Sequence, residues 1–234
     1  MKGCLVALGI LVGLVTAVLG LLWLNLRDIH VRYRLTVEVQ DGDLIRDGSS
    51  VFDVPYHVDF FADGPHTYHV SPVGYAPTVD LGEKGLLFLT MDEWRPREQE
   101  SEARKGLHTP CTFGLLGCLP FVAYNISGVW QYPDYPEQKA RLYELLRQSG
   151  PRDVPFGSLP RLSRFLDIND PLSLVPVSPY DLASKFGPGV KLKHVILELT
   201  DDPVMPQPKT WPQWLAKKGD TYDYDHILFH IPER

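Results

Sequence analysis

Two adjacent carboxylates, Asp201 and Asp202, are the residues whose type and position best suit chemistry in this chain. They follow a predicted strand over residues 190–200, and loops that leave a rigid element often carry catalytic groups. With a histidine brought near by folding, the pair could supply acid and base for hydrolysis. The alternative is structural, because an aspartate before Pro203 opens a turn by accepting a hydrogen bond from its own backbone. The catalytic residues stay unknown, with Asp201 and Asp202 as the candidates.

The histidines do not predict a metal site. His226 and His230 are four residues apart, behind Asp223 and Asp225. Their apolar neighbours favour a strand, in which two residues at this spacing lie about 13 Å apart, too far for one metal ion. The glycines also lack the spacing of nucleotide-binding loops. We therefore predict neither a metal nor a cofactor.

The cysteines outside the N-terminal segment form one pair, Cys111 and Cys118. An even pair in one short segment favours a disulfide in an oxidising compartment. Two neighbouring free thiols are the alternative. Cys4 is interpreted as a small residue embedded in the membrane.

The stretch around these cysteines is apolar but broken by Gly114, Gly117 and Pro120. It is too short to span a membrane, and it predicts a buried hairpin or an Ω-like loop. The alternative is a loop that dips into a membrane surface. This loop and a tryptophan segment contain the candidate binding residues: Phe113, Leu115, Leu116, Phe121, Trp211 and Trp214.

The N-terminal segment, residues 1–27, predicts a transmembrane anchor. An apolar run begins at Cys4 and closes near Trp23, and a hydrocarbon core about 30 Å thick needs about 20 such residues. We expect residues 4–26 to contact the lipid bilayer. Cleavage after Ala17 is the alternative, but it would leave a long apolar terminus to be buried elsewhere. The retained signal-anchor is the preferred interpretation.

The orientation of the remaining chain is set by two opposing signals. Lys2 on one side and Arg27, Arg32 and Arg34 on the other weakly favour a cytoplasmic body. The cysteine pair favours the outside, and long domains translocate largely regardless of nearby charge. We therefore expect a single-pass protein whose globular part is periplasmic.

Composition predicts one ordered domain over residues 28–234. The chain has 234 residues, of which 44% are hydrophobic and 22% charged, with a net charge of -6. These values are ordinary for globular proteins, and the mild acidity argues against a nucleic-acid partner.

Alternation and turn residues predict the elements of this domain. Period-two patterns predict strands over residues 29–40, 48–61, 68–70, 78–81, 85–91, 190–200 and 226–231. Pro55 predicts that the second of these is an edge or bulged strand. Helical signals lie at 136–149 and 178–186, with a short helical turn at 159–166. The expected fold is a β-rich, mainly antiparallel α+β domain with a few short helices behind one transmembrane helix.

The strand at 190–200 alternates imperfectly. Lys191 and Lys193 fall on the face that continues as Val195, Leu197 and Leu199. We interpret this as a strand that enters the core from an exposed end.

Several blocks together resemble an uncharacterised family of single-span, membrane-anchored proteobacterial proteins of unknown function. They are the N-terminal span, residues 34–39, 48–51, 186–192 and 198–204, and Trp214-Leu215. The resemblance implies a bacterial inner-membrane setting. It implies no activity, cofactor or catalytic residue, and it does not cover the cysteine loop.

The expected function is therefore non-enzymatic. We predict a membrane-anchored envelope domain that binds an envelope protein while held close to the bilayer. The alternative is a membrane-anchored hydrolase that uses Asp201, Asp202 and a histidine.

Overall fold

The computed structural model describes residues 2–25, 27–58, 68–90, 114–127, 135–206, 208–211 and 230–231. Within them, four α-helices span α1 (Lys2–Asn25), α2 (Gly114–Ala123), α3 (Tyr135–Leu145) and α4 (Ala183–Phe186). Three short 3-10 turns span Gly82–Lys84, Phe156–Ser158 and Pro171–Ser173.

The strands are β1 (Ile29–Asp41), β2 (Leu44–Val58), β3 (Tyr68–Val70), β4 (Gly74–Tyr75), β5 (Thr78–Asp80), β6 (Leu86–Leu89), β7 (Arg152–Asp153), β8 (Leu162–Phe165), β9 (Leu174–Val177), β10 (Val190–Leu199) and β11 (His230–Ile231). They form a five-stranded sheet, β3-β2-β1-β10-β7, a four-stranded sheet, β5-β6-β8-β9, and the pair β11-β4. Every strand pair described is antiparallel. The predicted β-rich, mainly antiparallel α+β class is confirmed.

The long β1–β2 hairpin follows directly from its sequence. Alternate residues of β1, from Val31 to Val39, are buried, while the polar residues between them are partly exposed. The loop contains two residues, Gly42 and Asp43, and Gly42 has a φ of 63°. A glycine with positive φ at this position matches the twist of the flanking strands. The strand predicted over residues 29–40 is confirmed.

Pro55 does not place β2 at an edge, so that prediction was wrong. β2 lies between β1 and β3. The amide of Asp53 donates to the Val73 carbonyl on the side away from β1, at 3.0 Å. Two residues further on, the missing N–H of Pro55 points to this same side. The β1–β2 ladder therefore loses no donor at the proline.

The irregular alternation of β10 comes from a bulge, not from an exposed strand end as expected. Opposite β1, the register shifts so that Glu38 pairs with His194 while Val39 pairs with Leu192. Lys193 is the extra residue. A bulge moves the residues that follow it to the other face, so Leu192 and Val195 are both buried although their positions have opposite parity.

Residues 114–123 form helix α2, so the hairpin or Ω-like loop predicted there was wrong. Pro120 lies inside this helix and has no N–H to donate to the Leu116 carbonyl one turn earlier. Instead, the hydroxyl of Tyr33 donates to that oxygen at 3.0 Å, and the Tyr56 hydroxyl donates to the Gly117 carbonyl at 2.5 Å. Two sheet tyrosines thus hold α2 against the inner face of the five-stranded sheet.

The smaller predicted elements had mixed outcomes. The helix expected at 136–149 is present as α3 but ends at Leu145. The helix expected at 178–186 shortens to α4, which ends at Phe186 and is followed by Gly187 with a φ of 92°. The helical turn predicted at 159–166 was wrong, because β8 occupies Leu162–Phe165 and pairs with β6 and β9. The strand expected at 226–231 lies mostly outside the described residues, which include only β11.

The two larger sheets approach closely at Gly48 of β2. A Cβ atom built on this glycine would lie 1.9 Å from the carbonyl oxygen of Thr78 on β5. A second, smaller core lies on the four-stranded sheet and contains Phe88, Phe165 and Trp211. The Trp211 indole N–H donates to the Thr78 hydroxyl at 2.8 Å, which ties the chain after β10 to this sheet.

The side chains of α1 are described from residue 9 to residue 21, and aliphatic ones such as Ile10 and Leu14 are exposed. No helix within the described part of the chain is both long and apolar enough to cross a membrane. The span predicted over residues 4–26 includes side chains outside this part, and it stays a prediction.

Candidate functional site

Asp201 and Asp202 lie directly after β10, at the end of the five-stranded sheet where β1 begins. Asp202 forms an ion pair with Arg34 of β1. Its carboxylate also accepts the Thr200 hydroxyl at 2.8 Å, and its amide donates back to that hydroxyl oxygen at 3.1 Å. The carbonyl oxygen of Asp201 accepts a hydrogen bond from Arg32 at 3.3 Å. Both aspartates are exposed and hold the loop onto β1.

A second carboxylate on this surface, Asp53 of β2, is shared by Arg32 and His30. Arg32 donates to its Oδ2 at 3.0 Å, and Nδ1 of His30 lies 3.0 Å from its Oδ1. We call His30, Arg32, Arg34, Asp53 and Asp202 the basal cluster. Its described contacts pair each cation with a carboxylate, which suits a structural clasp better than a site for an incoming anion.

The hydrolase alternative required a histidine beside Asp201 or Asp202. Within the described residues, no histidine forms a hydrogen bond with either aspartate, and His30 pairs with Asp53 instead. Two other histidine–aspartate pairs, His57 with Asp28 and His194 with Asp153, have Nδ1–Oδ1 distances of 2.9 Å. All three are surface pairs between neighbouring segments.

The described residues contain no group of three or more metal-ligating side chains. His230 belongs to β11, whereas His226 lies outside the described residues.

The predicted binding residues that the structure describes lie in the interior. Leu116 and Phe121 of α2 are buried in the main core, and Trp211 is buried in the smaller core. Phe113, Trp214 and the side chain of Leu115 lie outside the described residues. A contact surface built from the described part of the chain therefore needs other side chains.

The predicted disulfide is only half described. Cys118 is buried on α2, and Cys111 lies outside the described residues. The pairing of Cys111 with Cys118 stays a prediction.

At the end of the five-stranded sheet remote from α1, the β1–β2 hairpin lies near loops of the four-stranded sheet. β1 begins at Ile29, just after α1 in sequence, and reaches this end at Asp41. Nζ of Lys84 lies 2.5 Å from Oδ1 of Asp41, which places the β5–β6 turn here. Since β8 runs antiparallel to β6, the loop of residues 166–173 also leaves β8 at this end.

This end exposes large aliphatic side chains. Outside α1, the four most exposed aliphatic side chains among the described residues are Leu172 (80%), Leu166 (65%), Leu44 (60%) and Ile45 (55%). We call these four residues the distal tip. Single exposed leucines are normal, but several at one end of a domain, here from the start of β2 and from the 166–173 loop, are typical of an interaction surface.

Hydrogen bonds within the 166–173 loop hold its leucines in place. The Leu166 amide donates to the Ser173 carbonyl at 3.1 Å, and the Leu172 amide donates to Oδ1 of Asp170 at 2.9 Å. Oδ1 of Asp167 accepts the Asn169 amide, also at 2.9 Å. A loop that is already ordered loses little conformational entropy when it binds.

The distal tip was not among the predicted binding residues, because its four side chains do not form a long apolar run in the sequence. The available signal was local. Leu44-Ile45 directly follows the hairpin turn, and Leu166 and Leu172 flank the Asn169-Asp170-Pro171 loop signal. Apolar residues at turns, where polar ones are usual, predict exposure.

Comparison with protein-family models, with curated proteins and with solved structures found no match. The resemblance to membrane-anchored proteobacterial proteins therefore stays a prediction.

Proposed function

We propose that this protein is a membrane-anchored, non-enzymatic domain of the cell envelope that binds a protein partner through its distal tip. The observation that carries the proposal is the exposure of Leu44, Ile45, Leu166 and Leu172 at the end of the sheet remote from α1. A surface of this kind gains free energy when a partner covers it, about 1.5–3 kcal/mol for each leucine fully buried.

The anchor in this proposal is α1. Its sequence is an apolar run, and its described aliphatic side chains are exposed, which suits an apolar surrounding. β1 begins at Ile29, close behind the end of α1 at Asn25. The short connection would hold the basal cluster near the membrane and direct the distal tip away from it.

The compartment is also part of the proposal. The bacterial inner membrane follows from the resemblance described above, and the periplasmic side follows from the Cys111 and Cys118 pair. The burial of Cys118 in the core is compatible with a structural disulfide there.

The hydrolase alternative has no comparable support. The described contacts of Asp202 are with Arg34 and Thr200, and those of Asp201 are with Arg32. We therefore do not propose a catalytic role for these aspartates.

Photo-cross-linking in intact cells tests the proposal. A photoreactive amino acid at Leu172 should form one discrete adduct with an envelope protein. The same amino acid at Leu146 of α3, which is 43% exposed and belongs to another part of the domain, is the matched control and should not form it. Substituting Leu166→Ser and Ile45→Ser beside the Leu172 probe should abolish the adduct, because the apolar surface is lost.

Absence of an adduct at both Leu172 and Leu44, or the same adduct from Leu146, would overturn the binding function. An adduct with a cytoplasmic protein would retain the binding function and overturn the periplasmic orientation. Leu166 and Ile45 are both exposed, so their substitution by serine should leave folding intact.

A further inference from the structure

The two loops that form the distal tip share one sign of charge. The hairpin loop and its first strand residues, 42–45, contain one charged residue, Asp43, and the 166–173 loop contains two, Asp167 and Asp170. All three are acidic. The leucines and isoleucine of the distal tip are therefore bordered by carboxylates alone within these loops.

Two cations beside the hairpin share the carboxylate of Asp41, while Lys191, which lies opposite Gln40 on β10, is exposed. Lys84 lies 2.5 Å from one carboxylate oxygen of Asp41, and Nε of Arg46 lies 3.4 Å from the other. The guanidinium of Arg164 donates to the Lys185 carbonyl and stacks 4.6 Å from the centre of the Phe186 ring. None of the described hydrogen bonds or ion pairs joins these cations to Asp43, Asp167 or Asp170.

The Asp167 and Asp170 carboxylates face solvent while they support the loop. Each uses Oδ1 to accept a backbone amide, from Asn169 and from Leu172 respectively. Both residues are exposed. Their charge is therefore displayed to a partner by a loop that their own hydrogen bonds hold in shape.

We infer that the partner of the distal tip is a protein with an apolar pocket bordered by basic side chains. This inference rests on the proposed function. An apolar centre with charge of one sign around it is complementary to an apolar pocket with charge of the other sign.

Two other occupants fit the charge less well. An anionic lipid surface would repel Asp43, Asp167 and Asp170 as the leucines approached it. A second copy of the chain in a tip-to-tip arrangement would bring the same carboxylates against each other. A basic partner is attracted by the same three carboxylates that would repel these two occupants.

The test adds charge variants to the Leu172 cross-linking probe. Asp167→Asn and Asp170→Asn together remove two charges, while each asparagine Oδ1 can still accept the backbone amide that holds the loop. The control is Asp153→Asn on β7, which removes an exposed charge away from the tip. Adduct yield is measured in isolated membranes over a series of salt concentrations.

For a basic partner, the paired loop variant should lower the adduct yield by about five-fold at low salt, and salt should lower the yield of the unsubstituted tip toward the same level. The Asp153→Asn variant should match the unsubstituted protein. An unchanged yield and salt dependence in the loop variant would overturn the basic partner while the proposed function stands. An adduct with lipid, or with a second copy of this chain, would overturn the inference as well. No adduct in the unsubstituted protein would instead remove the proposed function.

Discussion

The base, which is the end of the five-stranded sheet with the basal cluster, exposes different kinds of side chain from the distal tip. At the base, Arg34 is paired with Asp202, and Arg32 and His30 share Asp53. At the tip, leucine and isoleucine side chains are more than half exposed. The two arginines at the base have carboxylate partners within the chain, whereas the aliphatic side chains at the tip face solvent.

This difference shows where the molecule can still gain free energy by binding. Exposed ion pairs contribute about 0–1 kcal/mol each and are easily screened by salt, so the basal cluster offers little to a ligand. Covering exposed aliphatic area is favourable in itself. The base is therefore the better candidate for structural support, and the tip for recognition.

The largest effect on stability is expected at the contact between the five-stranded and four-stranded sheets. This contact depends on interior packing and not on the basal cluster or the distal tip. Gly48→Ala should lower the free energy of unfolding by about 3 kcal/mol, because its Cβ would lie 1.9 Å from the Thr78 carbonyl oxygen. Urea or thermal denaturation measures the change.

Gly157→Ala is the matched control for that substitution. Gly157 also lies in the domain, but nothing is within 4 Å of the position of its Cβ. Its variant should differ from the original protein by less than about 0.5 kcal/mol. Equal losses from the two variants would contradict close packing between the sheets at Gly48.

A smaller loss of stability is expected when the hydroxyl of Tyr33 is removed. Tyr33→Phe keeps the buried ring but removes the donor to the Leu116 carbonyl, which Pro120 cannot satisfy. An unsatisfied buried carbonyl should lower the free energy of unfolding by about 2 kcal/mol.

Tyr180→Phe controls for the loss of a hydroxyl, since Tyr180 is exposed and its hydroxyl can bond to water. It should leave stability nearly unchanged. If Tyr33→Phe also left the free energy of unfolding unchanged in chemical denaturation, the hydrogen bond from Tyr33 would not stabilise α2. Burial also raises the pKa of both Tyr33 and Tyr56, so their hydroxyls stay protonated as donors at neutral pH.

The smallest effect on stability is expected for the ion pair between Asp41 and Lys84, next to the hairpin loop, and this effect depends on pH. The hydrogen bond from Lys84 lowers the pKa of Asp41 below its usual value of 3.8. Because the folded-state pKa is the lower one, the stabilisation is complete above the unfolded value and is lost as the pH falls through the folded value. Lys84→Met should therefore be less stable than the original chain at pH 7, and the gap should shrink below a pH of about 4.

Asp41→Asn provides the control for this prediction. In an Asp41→Asn background, Lys84→Met should change stability little, and the change should not depend on pH in that window. A gap that stayed constant from pH 7 down to acid unfolding would contradict the role of Asp41. Denaturant titrations of the four chains at several pH values supply the measurement.

Much of the hairpin could be predicted from local sequence. Alternation over residues 29–40 and the Asp41-Gly42-Asp43 turn predict both strands and the side of β1 that is buried. Once the loop is limited to Gly42 and Asp43, counting outward places Arg32 opposite Asp53, as observed. That part of the basal cluster was therefore accessible from sequence, although only the strand itself was predicted.

The elements that depend on distant partners were harder to predict. Residues 114–123 contain two glycines and a proline, which locally disfavour a helix, yet α2 forms there. Tyr33 and Tyr56, from strands far away in sequence, satisfy two of its carbonyls. The bulge at Lys193 likewise depends on the register with β1, which the sequence of β10 alone does not specify.

Sequence by itself determined the apolar N-terminal run, the β-rich antiparallel class and the two-faced β1, because these depend on local periodicity and turn residues. Tertiary structure decided which apolar residues are interior and which are displayed. Leu116, Phe121 and Trp211 became core, while Leu44, Ile45, Leu166 and Leu172 stayed exposed. All seven are apolar residues in the chain. Burial depends on which sheet or helix packs over a residue, and that packing is set by contacts between segments far apart in sequence.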